Sequence, residues 1–141
     1  MEPRMKLCIT QEHFTELIEH AQLGYPHEVV GILAGNQDTQ QISVVHPLIN
    51  EKGTTNNRYQ VSALKLMRSE QALEKQGHTI LGYYHSHPDH SAKYSEYDRE
   101  HALPNMSYLI ISVQKGVFSH MQSWRLKEDR SAMNLETLTI L

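Results

Sequence analysis

The most informative stretch of this 141-residue chain reads Ile80-Leu-Gly-Tyr-Tyr-His85-Ser-His87-Pro-Asp-His-Ser-Ala-Lys-Tyr-Ser95-Glu-Tyr-Asp98. Its apolar beginning predicts a strand. Side chains at positions i and i+2 of a strand point to the same face, so we expect the imidazoles of His85 and His87 to project together. Two neutral imidazoles on one rigid face form half of a tetrahedral zinc site. The pair alone is weak evidence, because the chain contains ten histidines.

A third donor follows the two histidines after a short spacer. Ser95 is a good N-cap, which places Asp98 at the third helical position, near the positive end of the helix dipole. A carboxylate at this position stays ionised and can supply a third ligand. The same Ser-x-x-Asp pattern also begins many helices that have no metal nearby, so this segment gains meaning only together with the histidines.

Glu28 lies directly before the apolar run Val-Val-Gly-Ile-Leu-Ala-Gly at residues 29–35, which predicts a strand buried on both faces. Most glutamates at strand starts are solvated charges. A hydrolytic zinc site, however, needs a base beside its water that is not itself a ligand. Glu28 lies at the start of a central strand, where such a base would be placed.

Together these residues form the pattern Glu28…His85-x-His87-Pro-x6-Ser95-x-x-Asp98. The pattern resembles the JAMM (MPN+) motif of metalloproteases that remove ubiquitin or ubiquitin-like proteins. The resemblance covers residues 7–113. It is greatest to the compact prokaryotic members of the JAMM family. Those members are similar to the hydrolase that frees cysteine from a sulfur-carrier protein. It implies an α/β fold of the cytidine-deaminase-like kind, an MPN domain with a mixed, curved sheet and helices packed on both sides.

The resemblance also implies a role for each residue of the motif. His85, His87 and Asp98 would bind one Zn²⁺ per chain, Glu28 would act as the base, and Ser95 would donate a hydrogen bond to the oxyanion. The implied reaction is hydrolysis of the amide bond after the C-terminal Gly-Gly of a ubiquitin-like or sulfur-carrier protein. The chain is too short for the insertions with which eukaryotic deubiquitinases grip ubiquitin, which argues against ubiquitin chains as the substrate.

Two other metal-binding signatures overlap the same histidines. Residues 85–90 also fit His-x-His-x-Asp-His of the metallo-β-lactamases. That fold needs a longer chain and further ligands downstream, whereas only His101 and His120 follow His90. We therefore interpret Asp89 and His90 as loop residues at the rim of the site. The amidohydrolase His-x-His belongs to a barrel of about 250 residues, which the chain length excludes.

Three further functions stay open at this point. A non-catalytic MPN scaffold typically lacks part of the ligand set, whereas this chain contains all of it. A metal-binding or sensing protein without turnover would not need the spare base Glu28. A general small metallopeptidase is a third alternative to an enzyme acting on a protein carrier.

Composition sets the wider limits. With 39% hydrophobic and 21% charged residues, the chain is expected to form a single globular domain over residues 1–141. A net charge of −3 gives no electrostatic reason to expect nucleic acid or an anionic membrane as partner. Because Cys8 is the only cysteine, an intrachain disulfide and a Cys-cluster zinc site are excluded. The sequence shows no signal peptide or long apolar segment, so a cytoplasmic location is the expectation; the oligomeric state stays open.

The remaining pattern predicts alternating helices and strands. A helix is expected between an N-cap at Thr10 and a C-cap at Gly24, with His13 and His20 facing solvent. Further helices are predicted at residues 63–75 and 95–102, and a polar surface loop at residues 50–58. Strands are predicted at residues 7–10, 29–35, 42–48, 79–87, 107–113, 117–126 and 135–141.

Overall fold

The computed structural model describes residues 6–50 and 61–141. Within these ranges the elements follow in the order β1 (Lys6–Ile9), α1 (Gln11–Gly24), β2 (Val30–Asn36), β3 (Gln41–Leu48), α2 (Ala63–Lys75), β4 (Thr79–Pro88), α3 (Glu96–His101), β5 (Ser107–Gln114), β6 (Val117–Leu126) and β7 (Met133–Ile140). The bounds of α2 and β6 are those predicted, and the bounds of the other strands differ from the prediction by one or two residues. Of the predicted polar loop, residues 51–58 lie outside the described residues.

The strands form one mixed sheet in the order β1-β3-β2-β4-β5-β6-β7. β2 is antiparallel to both of its neighbours, β3 and β4, whereas β4 runs parallel to β5. β1 pairs in parallel with β7 from Lys6↔Thr137 to Ile9↔Ile140, and this pairing closes the sheet into a barrel. The predicted mixed, curved sheet is confirmed, and its curvature extends to full closure.

Helices pack on both faces of the sheet, as predicted. Leu17 of α1 packs in a core cluster with Leu33 of β2. Leu73 of α2 packs in a second cluster with Ile32 and Ala34, the two neighbours of Leu33. Because successive residues of a strand point to opposite faces, α1 and α2 cover opposite sides of β2.

The end of α1 leads the chain directly to Glu28. The helix begins as predicted, because the side chain of Thr10 accepts a hydrogen bond from the His13 backbone N–H. The predicted C-cap is wrong: Tyr25 caps the helix, and Gly24 is its last helical residue. A Cβ on Gly24 would lie 2.1 Å from Cγ1 of Val29. Glycine is therefore required by the close approach of the chain entering β2 and not by the cap.

The prediction that His20 faces solvent holds only in part, because the side chain is half-buried. Its Nδ1 atom lies 2.7 Å from the hydroxyl of Tyr84, whose side chain is fully buried under α1. A buried hydroxyl needs a hydrogen-bond partner, and α1 supplies one from its inner face. Burial lowers the pKa of His20 and raises that of Tyr84. In the described parts of the chain, no helix combines the length and apolar character needed to cross a membrane.

Candidate metal centre

The end of β4 holds the two histidines on a rigid backbone. β4 is hydrogen-bonded on both sides here, with His85 opposite Val30 of β2 and Ile110 of β5. The Nε2 atoms of His85 and His87 lie 3.1 Å apart, and His85 is only 2% exposed. The period of the strand therefore brings both imidazoles to one point, as the sequence predicts.

Asp98 brings a carboxylate to the same point from α3. Its Oδ1 atom lies 3.2 Å from Nε2 of His85, and its Oδ2 atom lies 3.3 Å from Nε2 of His87. A reciprocal capping box fixes the residue. The Oγ of Ser95 accepts a hydrogen bond from the Asp98 N–H, and Oδ2 of Asp98 accepts one from the Ser95 N–H. The predicted N-cap at Ser95 is confirmed.

The two histidines keep the Asp98 carboxyl in its charged form. Burial by itself would raise the pKa of the Asp98 carboxyl, but hydrogen bonds from His85 and His87 outweigh it and hold the pKa well below its usual range. Asp98 is therefore a carboxylate at neutral pH. Burial lowers the pKa of His87, but the bonds to Asp98 and to the carbonyl of Ser91 raise it by more.

The donor atoms lie close to the spacing of a tetrahedral zinc site, and slightly nearer to one another. A tetrahedral Zn²⁺ with ligands at 2.0–2.2 Å places its donor atoms about 3.3–3.6 Å apart. The measured separations among His85, His87 and Asp98 are 3.1–3.3 Å. Two imidazoles and one carboxylate also form a typical donor set of catalytic zinc, which uses three protein ligands and leaves the fourth position open. The residues present thus fit the ion.

Glu28 places a second carboxylate beside the histidines. One donor atom each from Glu28, His85 and His87 lie within 4.8 Å of one another, and Glu28 is only 6% exposed. The alignment of β2 with β4 explains this position. Ser86, between the two histidines, accepts a hydrogen bond from the Val29 N–H through its Oγ and donates its own N–H to the Val29 carbonyl. Glu28 and Asp98 therefore both lie beside the two histidines, and Ser95 is hydrogen-bonded to Asp98.

The sequence analysis missed the residues that support this group. Ser91 accepts a hydrogen bond from Nδ1 of His87 through its carbonyl, at 2.9 Å. Ala92 is bonded through both of its backbone groups, to His120 and to Trp124 of β6. No sequence pattern could reveal the contacts of Ala92, because its partners lie 28 and 32 residues away along the chain.

Comparison with known proteins identifies the family. A family model described as prokaryotic homologs of the JAB domain matches residues 10–127. The chain belongs to this family.

This JAB-domain chain is similar to two curated proteins. It is 30% identical over 120 residues to the desampylase of Haloferax volcanii, covering 82% of this chain and 86% of the relative. It is 33% identical over 85 residues to the probable TtuB-protein conjugate cleaving protease of Thermus thermophilus, covering 60% of this chain and 55% of the relative. The JAB-domain chain is a hydrolase of the JAMM type, and the non-catalytic scaffold is set aside.

A solved structure gives the same fold. A JAB1/MPN domain protein from Archaeoglobus fulgidus matches with a TM-score of 0.61 and 16% identity, covering 96% of each chain. At this identity the likeness concerns the fold alone. It confirms the predicted MPN architecture for the JAB domain described above.

The structure places Asp89 and His90 in the loop that leaves β4, as predicted. The Asp89 carboxylate accepts hydrogen bonds from the Tyr25 hydroxyl at 2.7 Å and from the Lys115 N–H at 2.8 Å. Both Asp89 and His90 are exposed. His101, which follows Asp98 on α3, is also exposed, and its Nδ1 is bonded to the carbonyl of Tyr97.

An apolar cavity lies beside the candidate metal centre of the JAB domain. Its volume is about 260 Å³. It adjoins the centre because Val30 is paired with His85, and because Tyr97 directly precedes Asp98. The residues that line it are mostly aliphatic or aromatic, namely Val30, Leu48, Val61, Leu66, Tyr83, Tyr97, His101, Leu103 and Tyr108.

Proposed function

We propose that this JAB-domain chain is a single-domain zinc peptidase or isopeptidase. Its proposed reaction is hydrolysis of the amide bond after the C-terminal Gly-Gly of a ubiquitin-like or sulfur-carrier protein. The observation that carries the proposal is the meeting of His85, His87 and Asp98 at 3.1–3.3 Å, with the carboxylate of Glu28 beside them. The names of the two curated relatives support the substrate class, since one of them describes the cleavage of protein conjugates.

His85, His87 and Asp98 would hold one zinc ion per chain. When bound, zinc polarises a substrate carbonyl and lowers the pKa of a water molecule toward about 7. The carbonyl of Ser91 keeps the proton of His87 on Nδ1, which leaves the Nε2 lone pair for the metal. The Ser95 N–H holds Oδ2 of Asp98 in place in the same way.

Glu28 serves as the general base and then as the general acid. Its carboxylate takes a proton from the attacking water while the water oxygen bonds to the carbonyl carbon. It then delivers this proton to the leaving amine as the C–N bond breaks. A carboxylate oxygen of Glu28 lies within 4.8 Å of a ring nitrogen of each histidine. One intervening water can bridge such a distance.

Ser95 stabilises the negative charge that develops on the carbonyl oxygen. Its Oγ accepts a hydrogen bond from the Asp98 N–H, and this bond uses a lone pair of the hydroxyl. The hydroxyl hydrogen is therefore the part of Ser95 that donates to the oxyanion.

The cavity beside the metal centre supports a polypeptide tail as the substrate. An extended tail that crosses the centre would place an apolar side chain near Val30 and Tyr97, in a space of about 260 Å³. The two glycines at the scissile bond would lie beside His85 and His87.

The experiment uses the full chain and two conjugates of a sulfur-carrier protein ending in Gly-Gly, one with free cysteine and one with a lysine side chain. Intact mass should show release of the carrier with Gly-Gly as its new C-terminus. A chelator should stop the reaction, and added zinc should restore it. Absence of cleavage of both conjugates by the zinc-loaded chain would refute the proposed substrate.

A parallel measurement separates this function from a general small metallopeptidase. The isolated tail peptide lacks the globular part of the carrier and its binding energy. We expect a lower kcat and a higher KM for the peptide than for the conjugate. Equal values of kcat/KM would mean that the globular partner is not recognised.

A further inference from the structure

The loop at residues 89–94 separates the strand that carries His87 from the helix that carries Asp98. We call it the spacer loop. Four consecutive residues of this loop are hydrogen-bonded through the backbone to other parts of the fold. The bonds are Asp89 N–H to the Val113 carbonyl, the Ser112 hydroxyl to the His90 carbonyl, His87 Nδ1 to the Ser91 carbonyl, and both backbone groups of Ala92 to β6.

Two side chains of β6 hold Ala92. The Ala92 N–H donates to Nε2 of His120 at 3.1 Å, and Nε1–H of Trp124 donates to the Ala92 carbonyl at 2.8 Å. Ala92 is fully buried. Backbone groups removed from water need partners, and these two side chains provide them.

A single peptide group connects His120 with His87. The carbonyl of Ser91 and the N–H of Ala92 belong to the same planar unit, so fixing one of them fixes the other. The carbonyl accepts from Nδ1 of His87, while the N–H donates to His120. The rotation of the His87 ring is thus tied to a residue two strands away in the sheet.

The tautomer of His120 agrees with this arrangement. Nε2 must carry a lone pair to accept the Ala92 N–H, which puts the proton on Nδ1. The Nδ1 atom lies 2.9 Å from the hydroxyl oxygen of Ser119, which can accept that proton in a hydrogen bond.

We infer that His120 and Trp124 are positioning residues of the metal centre. His120 holds the Ser91–Ala92 peptide so that His87 presents Nε2 at the correct angle. Trp124 holds the next peptide, Ala92–Lys93, and so fixes the start of the path to Asp98. Their loss weakens zinc binding without removing a ligand. The inference rests on the proposed zinc site, and it adds two residues that do not touch the ion.

The test measures the zinc dissociation constant of the metal-free full chain by competition with a chromophoric chelator. Replacing a partner that orients a ligand typically weakens metal binding about 10–100-fold. We expect a loss of about tenfold for His120→Leu and for Trp124→Phe, because each acts one bond further from the ion. Trp124→Phe retains a ring against Tyr94, whose centroid lies 5.0 Å from that of the indole, so this variant is expected to fold.

Two further variants separate positioning from general stability. His120→Gln keeps an acceptor for the Ala92 N–H and should bind zinc nearly as tightly as the wild type. Met121→Ala alters the next residue of β6, which packs against the core cluster on the α1 side of the sheet. It should lower the melting temperature and leave zinc affinity unchanged.

Each outcome bears on the inference. Wild-type affinity in both His120→Leu and Trp124→Phe would overturn it, and so would an equal loss in Met121→Ala. Should His120→Leu not fold, the contrast between Trp124→Phe and Met121→Ala carries the same test. If the wild type binds no zinc, both the proposed function and the inference fail. If the wild type binds zinc and the variants bind it equally tightly, only the inference fails.

Discussion

The candidate metal centre joins two regions that are held in place by different means. His85 and His87 project from β4, which is paired with β2 and β5 along its ligand-bearing end. Asp98 lies on a helix of only six residues that the chain reaches through the spacer loop. The alternation of side chains along the strand fixes the two proposed ligands that it carries. We infer that the position of the third proposed ligand depends on distant residues such as Trp124, so the two regions should respond differently to mutation.

The largest effect is expected on the strand side, from His87→Ala. Removal of this imidazole leaves two of the three proposed ligands and breaks the bond to Ser91. Zinc content should fall from about one per chain to near zero, and hydrolysis should fall to the background rate. Metal analysis after exhaustive dialysis, together with the conjugate assay, measures both.

His90→Ala is the matched control for this change. It removes the imidazole of another histidine, three residues after His87 and exposed in the spacer loop. Zinc content and activity should match those of the wild type. Full zinc occupancy in His87→Ala, or loss of zinc in His90→Ala, would contradict the assignment of the strand ligands.

Glu28→Gln should separate chemistry from metal binding. Glutamine is nearly isosteric with glutamate but cannot take a proton from water. Loss of a general base typically lowers kcat by about 10²–10⁴-fold, and we expect this range with zinc content unchanged. The measurement is kcat on the conjugate at saturating substrate, beside a zinc determination on the same sample.

The zinc content of Glu28→Gln tests a second assignment, because Glu28, His85 and His87 lie close enough together to hold an ion. A variant that lost its zinc would show that Glu28 is a ligand and not the base. A variant with the wild-type rate would leave it as a buried charge without a catalytic role.

The two regions also differ in what the sequence could predict. The alternation of side chains along a strand predicted that His85 and His87 lie together, and the Ser95-x-x-Asp98 pattern predicted the N-cap, which the structure shows as part of a reciprocal capping box. These features are local, so each can be read within a few residues. The parallel pairing of β1 with β7 joins the two ends of the described chain and has no local signal.

The errors and omissions have the same physical origin. His20 is predicted to face solvent, but the buried hydroxyl of Tyr84 takes it as a partner. Gly24 suggested a cap, although its role is to admit Val29 at close range. The support of Ala92 by His120 depends on which side chains β6 turns toward the spacer loop. Each of these depends on tertiary packing, between distant segments for His20 and Ala92 and between the end of α1 and the start of β2 for Gly24.

On the helix side, Ser95→Ala should reduce both stability and rate. Loss of an N-cap costs about 0.5–2 kcal/mol, and loss of an oxyanion donor costs about 10²–10³-fold in kcat. We expect the rate to fall in this range at a temperature well below melting, where the fold is intact. Thermal unfolding and kcat are measured on the same preparation.

Ser95→Thr is a useful companion variant, because threonine keeps the hydroxyl and can cap the helix. It should recover most of the stability and part of the rate. If Ser95→Ala melts early but retains wild-type kcat when folded, Ser95 serves only as the cap that holds Asp98.

The smallest effect is expected at Asp89, where the strand region meets the spacer loop. Asp89 has a φ of 59°, a left-handed conformation that asparagine tolerates well, so Asp89→Asn changes the charge and little else. The Lys115 N–H and the Tyr25 hydroxyl donate to the carboxylate and lower the pKa of Asp89. Zinc affinity in Asp89→Asn should equal that of the wild type, because these donors hold the carboxylate at the rim. A clear loss of zinc would instead favour the metallo-β-lactamase pattern of ligands.

The pH dependence of stability tests the same residue in the metal-free chain. A carboxyl group whose pKa is lowered by folding adds stability above its unfolded pKa, here near 3.8, and this contribution is lost as the pH falls through the folded value. The wild type should therefore melt slightly higher than Asp89→Asn at pH 7, and the difference should shrink below about pH 4. In a Tyr25→Phe background the difference at pH 7 should be smaller, since one of the two donors is gone. A difference that stayed constant from pH 7 to pH 3 would mean that the charge of Asp89 does not contribute, and that the loop is held by its backbone bonds alone.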